Sequence, residues 1–288
     1  YAMTKSLFNI IEKCQPTHFT VAWDVSRETF RREIYPKYKA HRGATLPEIK
    51  KQVVLMKRLL KTAGICQCEA KGYEADDLIG TIARRFSNKV SVKAFSKDAD
   101  ILQLVSPNVK VWLSTKKASK MYQDLGFTAP KSLPKNIFEF DETTVAYFYN
   151  VYPHQMADFK ALSGDSSDNI PGVAGIGEKT AIKLLDVFPS IEQMYLQLES
   201  LSFEEKLRFF RENSLQKSIL EKLEKGKDAA LLSKKLASIC CEVPLTLKLD
   251  DLKLTLSGNV QSILDEYGFK SIKMPRVDLT KQQVLFAV

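Results

Sequence analysis

The sequence has 288 residues, 44% of them hydrophobic, so it is long enough to form one or two folded domains. Its 43 basic and 34 acidic residues leave a formal net charge of +9, which favours a polyanionic partner. We find no apolar run of the roughly 20 residues that span a bilayer and no secretory signal pattern. We therefore expect no membrane partner, and a location in the bacterial cytoplasm or in the matrix of an organelle.

Cysteine and histidine do not mark a metal or redox site in this sequence. The five cysteines, an odd number, include no C-x-x-C pair, and the three histidines are far apart in sequence. We expect reduced cysteines that pack in the interior and histidines with structural roles.

The first elements predict a helix, a strand and a basic segment. Residues 4–12 have the apolar spacing of a helix, and residues 19–24 predict a buried strand that ends in an acid. Residues 27–42 mix basic and aromatic side chains with few acids. Residues 47–63 predict a helix that Gly64 ends.

The next elements predict a parallel sheet. Residues 73–86 have apolar side chains at helical spacing, and residues 90–95 and 109–113 predict strands, with a short helix from Asp100 between them. Strands that alternate with helices are typical of an α/β fold with a mostly parallel, twisted sheet and flanking helices. Such sheets place active sites at the carboxyl ends of their strands.

The sequence changes character near residue 140. Residues 116–135 are polar and contain two prolines, which predicts a loop. The chain after about residue 141 predicts helices, except that the residues after Pro275 carry no clear signal. We expect an α/β region over residues 1–140 that includes the basic segment, at about residues 27–50. A helical region over residues 141–288 would then contain two helices joined by a glycine turn at about residues 160–190.

Acidic side chains follow predicted strands or begin helices in four places. They are Asp24; Glu74, Asp76 and Asp77; Asp98 and Asp100; and Asp165 and Asp168. Helix capping or turn formation would explain each group on its own. Three of the four groups are predicted at the same edge of the sheet, so their common position calls for another explanation.

Carboxylates that converge in one cleft repel each other unless cations neutralise them. A set made only of oxygen ligands selects Mg²⁺ or Mn²⁺ over zinc. Calcium bound in an EF-hand is excluded by spacing. A loop of that kind starting at Asp165 needs Gly at its sixth position and Glu at its twelfth, where the sequence has Ile170 and Ile176.

The glycine-rich residues 172–180 invite two nucleotide-binding interpretations that fail. Glu178 separates the last glycine from Lys179, which a Walker loop does not allow, and Thr180 stands where a dinucleotide fingerprint needs a third glycine. No predicted strand precedes the segment. We interpret it as a turn between two helices whose N–H groups, with Lys179 and Lys183, bind a DNA phosphate. The alternative is a plain helix–helix turn.

Four stretches of the sequence occur together in one known family. They are Val21-Ala-Trp-Asp24 with Thr29-Phe-Arg31 and Tyr35-Pro-Lys-Tyr-Lys39-Ala-His-Arg42; Tyr73-Glu-Ala-Asp-Asp77; Asp98-Ala-Asp100-Ile-Leu-Gln-Leu104; and Lys160-Ala-Leu-Ser-Gly-Asp165-Ser-Ser-Asp-Asn-Ile-Pro-Gly172 through Ala181. In this order they resemble the 5′ nuclease family, which includes the amino-terminal domain of bacterial DNA polymerase I, bacterial and phage exonucleases, and flap endonucleases. The similarity extends to about residue 245.

The resemblance implies a phosphodiesterase that uses two divalent ions, Mg²⁺ or Mn²⁺. One ion would be bound by Glu74, Asp76, Asp77, Asp98 and Asp100, and the other by Asp165 and Asp168. Asp24 would organise metal-bound water. Lys39 and Arg42 would reach the scissile phosphate from a helical arch, with Tyr38 beside them.

The resemblance also implies a helix-hairpin-helix region that grips duplex DNA and holds a potassium ion on backbone carbonyls. The DNA-binding residues implied are Arg31, Tyr38, Lys160, Gly175, Gly177, Lys179, Thr180 and Lys183. The expected partner is DNA with a 5′ flap, a nick or a frayed end, or an RNA primer–DNA hybrid, bound by a monomer.

Two positions depart from the family pattern. Family members begin with a strand that ends in a metal-binding Asp, whereas this sequence starts at Tyr1, within the helix that follows. We expect the complete protein to contain that central strand. Ala99 stands between two of the acids, where many relatives carry Lys.

The sequence therefore predicts a 5′-3′ exonuclease and structure-specific flap endonuclease. A DNA-junction binding module without catalysis is the alternative, and the absent Asp favours it. A nucleotide hydrolase that uses the glycine segment ranks behind both, because Glu178 is out of place for it.

Overall fold

The computed structural model describes residues 1–256, 260–277 and 284–288. Within them lies a six-stranded sheet with the order β2-β1-β6-β3-β4-β5. The strands are β1 (His18–Trp23), β2 (Cys66–Glu69), β3 (Ser91–Ser96), β4 (Val109–Ser114), β5 (Ile137–Phe140) and β6 (Val284–Ala287). All neighbouring strands are parallel except β4 and β5. The predicted α/β fold with a mostly parallel sheet is confirmed.

Helices cover much of the remaining described chain. They are α1 (Ala2–Cys14), α2 (Phe30–Ile34), α3 (Pro47–Thr62), α4 (Ala75–Phe86), α5 (Ala118–Asp124), α6 (Glu142–Tyr149), α7 (Met156–Ser163), α8 (Glu178–Val187), α9 (Ile191–Ser200), α10 (Phe203–Glu212), α11 (Lys217–Ala237) and α12 (Val260–Glu266), with 3₁₀ segments at Ala99–Leu104, Pro153–Gln155 and Leu249–Leu252. None of the helices in the described ranges is long and apolar enough to cross a membrane.

The chain divides into two compact units. Unit 1 comprises Tyr1–Arg27, Ala44–Asp141 and Cys240–Val288, and unit 2 comprises Glu28–Gly43 and Glu142–Ile239. This division differs from the predicted one at residue 140. The basic segment is part of unit 2, because buried Arg31 in α2 donates hydrogen bonds to the carbonyls of Leu236 and Ser238. The last residues return to unit 1, because β6 belongs to its sheet.

Unit 1 is built around the sheet. All six residues of β1 are buried, as expected for a strand covered on both faces. On α4, the apolar residues Leu78, Ile79 and Ile82 are buried. Carboxylates stand in its first turn and arginines in its last, which is the order that the helix dipole favours.

The central strand β6 was not predicted. It pairs in parallel with β1 through Phe19 and Phe286, and with β3 through Val92 and Leu285. It thus lies in the middle of the six-stranded sheet. Its four residues follow Pro275, where the sequence carries no clear prediction. A short apolar run carries no periodicity that separates a strand from a buried helix turn.

Three further elements were missed in unit 1, one of them the antiparallel edge strand β5 (Ile137–Phe140). Residues 116–135, predicted as a loop, contain α5, which buries Ala118 and Tyr122. The edge strand β2 has the sequence CQCE, which shows neither an apolar run nor strong β propensity. Its pairing with β1 stabilises the extended conformation that its own residues do not favour.

Unit 2 is helical. Helix α11 packs along α7, and buried Tyr38, Ala157, Ile170, Leu236 and Ala237 form one of its apolar clusters. Tyr38 thus ties the basic segment to the core of the unit. The predicted pair of helices joined by a glycine turn is present as α7 and α8.

Candidate functional site

Unit 1 brings five of the predicted acids to one edge of its sheet. Asp24 follows β1, Glu74 and Asp76 stand at the start of α4 after β2, and Asp98 and Asp100 follow β3. These strands run parallel, so their carboxyl ends lie at the same edge. The backbone N–H of Ala75 donates to Asp24 Oδ1 at 2.7 Å, which joins the end of β1 to the start of α4.

Asp98 and Asp100 are held by a local cap. The backbone N–H of Asp100 donates to Asp98 Oδ1 at 3.0 Å, so Asp98 is the N-cap of the 3₁₀ segment. Asp98 is exposed and Asp100 is half-buried, and Ala99 between them adds no charge. The donor atoms at this edge are carboxylate oxygens, which suit a hard divalent cation.

Asp77 differs from its neighbours in this cluster. Its side chain is fully buried, Oδ1 accepts a hydrogen bond from the N–H of Cys240 at 2.8 Å, and Oδ2 accepts one from the N–H of Glu74 at 3.0 Å. These bonds connect the start of α4 to the chain at residue 240. They favour a structural role for Asp77 over the predicted role as a metal ligand.

In unit 2, Asp165 lies in a tight loop. Asp165 and Ile170 exchange two backbone hydrogen bonds of 2.9 and 2.8 Å, which close the loop. Lys160 Nζ donates to Asp165 Oδ2 at 2.6 Å, and Ser167 donates to Oδ1 from both its N–H and its hydroxyl group. Burial raises the pKa of Asp165, but the bonds from Lys160 and Ser167 outweigh it and leave the pKa below its ordinary value. Lys160, predicted to contact DNA, is thus paired with an acid of the site.

Asp168 is almost completely buried and is met by three residues of the basic segment. Arg42 forms an ion pair and hydrogen bond with Oδ1, Lys39 Nζ lies 3.4 Å from Oδ2, and the hydroxyl of Tyr38 donates to Oδ2 at 3.4 Å. The N–H of Lys39 also donates to the backbone carbonyl of Asp168 at 2.9 Å. Lys39 and Arg42, predicted at the scissile phosphate, thus neutralise a predicted metal ligand, and Tyr38 beside them adds a hydrogen bond.

Arg31 has a different role from these basic neighbours. Its side chain is 3% exposed, and its Nε and Nη2 donate to backbone carbonyls of Leu236 and Ser238 at 2.9 and 2.7 Å. A guanidinium group used in this way anchors α2 to the end of α11. The contacts favour a structural role over the predicted contact with DNA.

The glycine turn between α7 and α8 is shaped by its backbone. Gly172 has a φ angle of 63°, and a side chain there would place its Cβ 2.3 Å from the backbone nitrogen of Gly164. Gly175 also has a positive φ angle, 78°. The N–H of Gly172 donates to the buried hydroxyl of Ser233 at 2.9 Å. These positions require glycine, which explains the sequence pattern without a nucleotide.

Helix α11 holds the same turn at two further points. Lys222 Nζ donates to the carbonyl of Gly175 at 3.0 Å. A Cβ added to Gly226 would lie 2.6 Å from Cγ1 of Val173, so glycine lets the helix and the turn approach closely. A potassium ion bound to the Gly175 carbonyl would share that oxygen with the Lys222 ammonium group. Lys222 was not predicted, because its partner is 47 residues away and no local pattern marks it.

The remaining predicted DNA contacts lie on the outside of unit 2. Gly175, Gly177, Lys179 and Lys183 are exposed, and Thr180 is half-buried. Helix α8 begins at Glu178, so its first free N–H groups lie beside Gly177 and Lys179. A helix N-terminus next to lysines attracts phosphate.

Comparison with known proteins assigns the chain to a family. Residues 1–129 match the family model described as 5′-3′ exonuclease, N-terminal resolvase-like domain, and residues 151–259 match 5′-3′ exonuclease, C-terminal SAM fold. The 5′-3′ exonuclease of Bacillus subtilis is 38% identical over 282 residues, which cover 98% of this chain and 85% of that protein. The chain belongs to the 5′-3′ exonuclease family. The resemblance predicted from the four sequence stretches is confirmed, and the chain is a member of a nuclease family.

Longer relatives and a solved structure agree with this assignment. DNA polymerase I of Bacillus caldotenax is 38% identical over 274 residues, which cover 94% of this chain and 28% of that protein. The chain thus spans less than a third of the polymerase relatives that it matches. The structure titled divalent metal ions (zinc) bound to T5 5′-exonuclease matches with a TM-score of 0.60 at 19% identity and covers 95% of this chain and 90% of that one. At this identity the match supports the fold of the chain.

Proposed function

We propose that this member of the 5′-3′ exonuclease family hydrolyses phosphodiester bonds near the 5′ ends of DNA, both as an exonuclease and as a flap endonuclease. The observation that carries the proposal is the set of carboxylates at the carboxyl edge of the unit 1 sheet, supplied after three parallel strands. Acids that share one edge repel one another, and bound cations would neutralise them. A 5′ flap, a nick, a frayed end or an RNA primer–DNA hybrid would be the substrate.

Divalent ions, Mg²⁺ or Mn²⁺, fit the ligands that the chain offers. Glu74, Asp76, Asp98 and Asp100 supply oxygen donors in unit 1, and Asp165 and Asp168 supply them in unit 2. Bound divalent ions would supply Lewis acidity at the phosphate and would make the attacking water easier to deprotonate. Asp24, which accepts from Ala75, would orient that water from the end of β1.

The basic segment would contribute positive charge to the reaction. Lys39 and Arg42 neutralise Asp168 in this structure. When a cation replaces them at Asp168, both side chains would become available to the scissile phosphate, whose charge grows in the transition state. Tyr38 would stay with the core of unit 2, where it is buried.

Duplex DNA would be held by the glycine turn. The N–H groups at the start of α8, with Lys179, would bind backbone phosphates without reading the base sequence. Lys222 would keep the turn in shape through the Gly175 carbonyl. We propose that the protein acts as a monomer in the bacterial cytoplasm.

Cleavage of a 5′-labelled flap duplex by the full chain tests this function. We expect short 5′ fragments with Mg²⁺, none with EDTA, and none from Asp165→Asn, which removes a charge from the predicted ligand set and preserves its shape. Asp228→Asn, an exposed acid on α11, is the matched control and should cut like the parent protein.

A DNA-junction binding module is the second candidate. It would bind the flap duplex with unchanged affinity with Mg²⁺ or with EDTA, and would cut in neither case. That result would overturn the nuclease function while leaving the DNA-binding residues in place.

A further inference from the structure

A groove of about 690 Å³ lies within unit 2, and none of the acids described above lines it. Its walls are the end of α6, the 3₁₀ segment Pro153–Gln155 and α8. The lining residues are Ala146, Asn150, Val151, Tyr152, Gln155, Lys179, Ile182, Lys183, Leu185 and Asp186. The volume is in the range of about 300–1,000 Å³ that is usual for ligand sites. We call it the Tyr152 groove.

The Tyr152 groove is fixed by a buried side chain that bridges its walls. Gln155 is 6% exposed, and its Nε2 donates to the backbone carbonyl of Leu185 in α8 at 2.9 Å. Its Oε1 accepts from the N–H of Tyr152 at 3.1 Å. Both ends of the amide are thus used to hold α8 to the segment that carries Tyr152. The groove is formed before any ligand binds.

Two lysines give the groove a positive wall. Lys179 and Lys183 are four residues apart on α8, so their side chains lie on the same face of the helix. Both are exposed, and neither forms an ion pair or side-chain hydrogen bond within the described residues. Asp186 is the single carboxylate among the lining residues and offsets one of the two charges. The wall therefore suits a singly charged anion such as a phosphodiester.

An aromatic ring stands beside this positive wall. Tyr152 is 57% exposed, so much of its ring is open to solvent. The ring lies nearly parallel to that of His154, with the ring centroids 5.8 Å apart and the planes 10° from parallel. This contact favours the orientation that the tyrosine ring has here. An exposed, oriented aromatic ring is a platform for a nucleobase.

We propose that the Tyr152 groove binds one unpaired nucleotide of the DNA substrate, with the base stacked on Tyr152 and a phosphate on Lys179 and Lys183. The proposal rests on the proposed function, since it assumes that DNA is the substrate. Lys179, in the first turn of α8, would then contact the phosphate at which the duplex meets the unpaired nucleotide, and Lys183 would face the unpaired nucleotide itself. A free nucleoside monophosphate has the same chemistry and is the competing occupant.

The test is a binding measurement in EDTA that separates single-stranded from duplex contacts. Fluorescence anisotropy would give the affinity of the full chain for a duplex with an unpaired arm and for the blunt duplex. Stacking of one base is worth about 1–3 kcal/mol, so Tyr152→Ala should weaken binding of the armed duplex about fivefold to a hundredfold. Binding of the blunt duplex should not change. Tyr152→Phe, which keeps the ring, should bind like the parent protein.

Control variants outside the groove test whether loss of any exposed tyrosine or lysine weakens DNA binding. Tyr147→Ala removes a tyrosine of equal exposure, 57%, on α6 outside the groove, and should leave both affinities unchanged. For the duplex with the unpaired arm, the slope of log affinity against log salt concentration counts the ions released on binding. Lys183→Ala should reduce this slope by about one ion, whereas Lys225→Ala, at an exposed position of α11, should not change it.

Two results would overturn the proposal. One is equal affinity of Tyr152→Ala and the parent protein for the armed duplex. The other is displacement of the armed duplex by deoxyadenosine monophosphate at comparable concentration, which would assign the groove to free nucleotide. Failure of the proposed function is a separate result, because it would appear as absent Mg²⁺-dependent cleavage by the parent protein.

Discussion

Asp76 and Asp77 are adjacent acids with opposite surroundings. Asp76 is partly exposed at the start of α4, whereas Asp77 is fully buried and accepts hydrogen bonds from two backbone N–H groups. A buried N–H group that loses its acceptor costs about 1–3 kcal/mol. The two positions should therefore respond to the same substitution in different ways.

We predict that Asp77→Ala lowers the free energy of unfolding by at least about 2 kcal/mol, because two N–H groups lose their acceptor. Asp76→Ala should lower it by less than about 1 kcal/mol and should abolish Mg²⁺-dependent cleavage. Urea denaturation and the flap assay measure the two effects. Equal losses of stability in the two variants would contradict the assignment of Asp77 to structure.

Much of the candidate site follows from sequence at the level of single residues. Asp24, Asp98 and Asp165 are marked by position, because each follows a strand or stands in a characteristic acidic loop. No local sequence pattern identifies Lys222 or Gln155. Their partners, Gly175 and Leu185, are 47 and 30 residues away, and only the fold brings them together.

At the scale of elements, the antiparallel edge of the sheet carries a charge cluster. Glu139 on β5 accepts hydrogen bonds from Lys93 on β3, at 2.5 Å, and from Lys110 and Trp112 on β4, at 3.0 and 2.7 Å. Burial raises the pKa of Glu139, but the bonds from Lys93, Trp112 and Lys110 outweigh it and hold the pKa below its ordinary value. The charged form of Glu139 thus stabilises the folded state.

Because the pKa of Glu139 is lowered in the folded state, Glu139 should stabilise the fold less as the pH falls. The stabilisation by Glu139 is complete above its pKa in the unfolded chain, about 4.3, and is lost as the pH falls through the lower folded value. Glu139→Gln should thus be less stable than the parent protein by about 1–3 kcal/mol at neutral pH. The difference in stability between Glu139→Gln and the parent protein should shrink as the pH falls below the pKa of Glu139 in the folded state.

Urea unfolding at several pH values measures this difference. Glu12→Gln is the control, because Glu12 is exposed on α1 in the same unit. A difference between Glu139→Gln and the parent protein that stayed constant with pH would show that the charge of Glu139 does not stabilise the sheet.

Elements with a clear periodicity were predicted, and elements without one were not. Helix α4 and strand β1 have strong apolar patterns and lie within a few residues of their predicted bounds. Strand β2, with the sequence CQCE, depends on its pairing with β1. Because such an element is stabilised by tertiary contacts, its own residues do not specify it.

At the scale of the whole molecule, unit 1 depends on its last strand. Phe286 is fully buried in the middle of the sheet, its ring is stacked near Phe19 at 6.0 Å, and it meets Trp112 edge to face at 4.9 Å. In the part of the chain that the structure describes, β6 is the strand between β1 and β3. Loss of packing at β6 should weaken its pairing with both β1 and β3.

We predict that Phe286→Ala lowers the free energy of unfolding of unit 1 by about 3–5 kcal/mol. Tryptophan fluorescence in urea reports on this unit, because Trp23 and Trp112, the two tryptophans of the chain, both belong to it. Phe127→Ala, at a phenylalanine that is 66% exposed in the same unit, should change stability by less than about 0.5 kcal/mol. Similar stability of the two variants would mean that β6 does not hold the sheet together.

The origin of the central strand was the largest gap between sequence and structure. The family resemblance drew attention to a strand before α1, whereas β6 lies after α12. Four apolar residues match the requirement of a buried parallel strand, but many short apolar runs do so equally well. Pairing with β1 and β3 in three dimensions, which no local pattern reports, distinguishes this run from the others.

The position of β6 also determines when unit 1 acquires its sheet during synthesis on the ribosome. Translation at about 5–20 residues per second takes on the order of 10–40 s to pass from the end of β3 to the start of β6. Within the described residues, the strand that pairs with both β1 and β3 is therefore the last to be made, and open strand edges are sites of aggregation. The order of synthesis thus differs from the order of the strands in the sheet, and the six-stranded sheet described here is complete only after β6 leaves the ribosome.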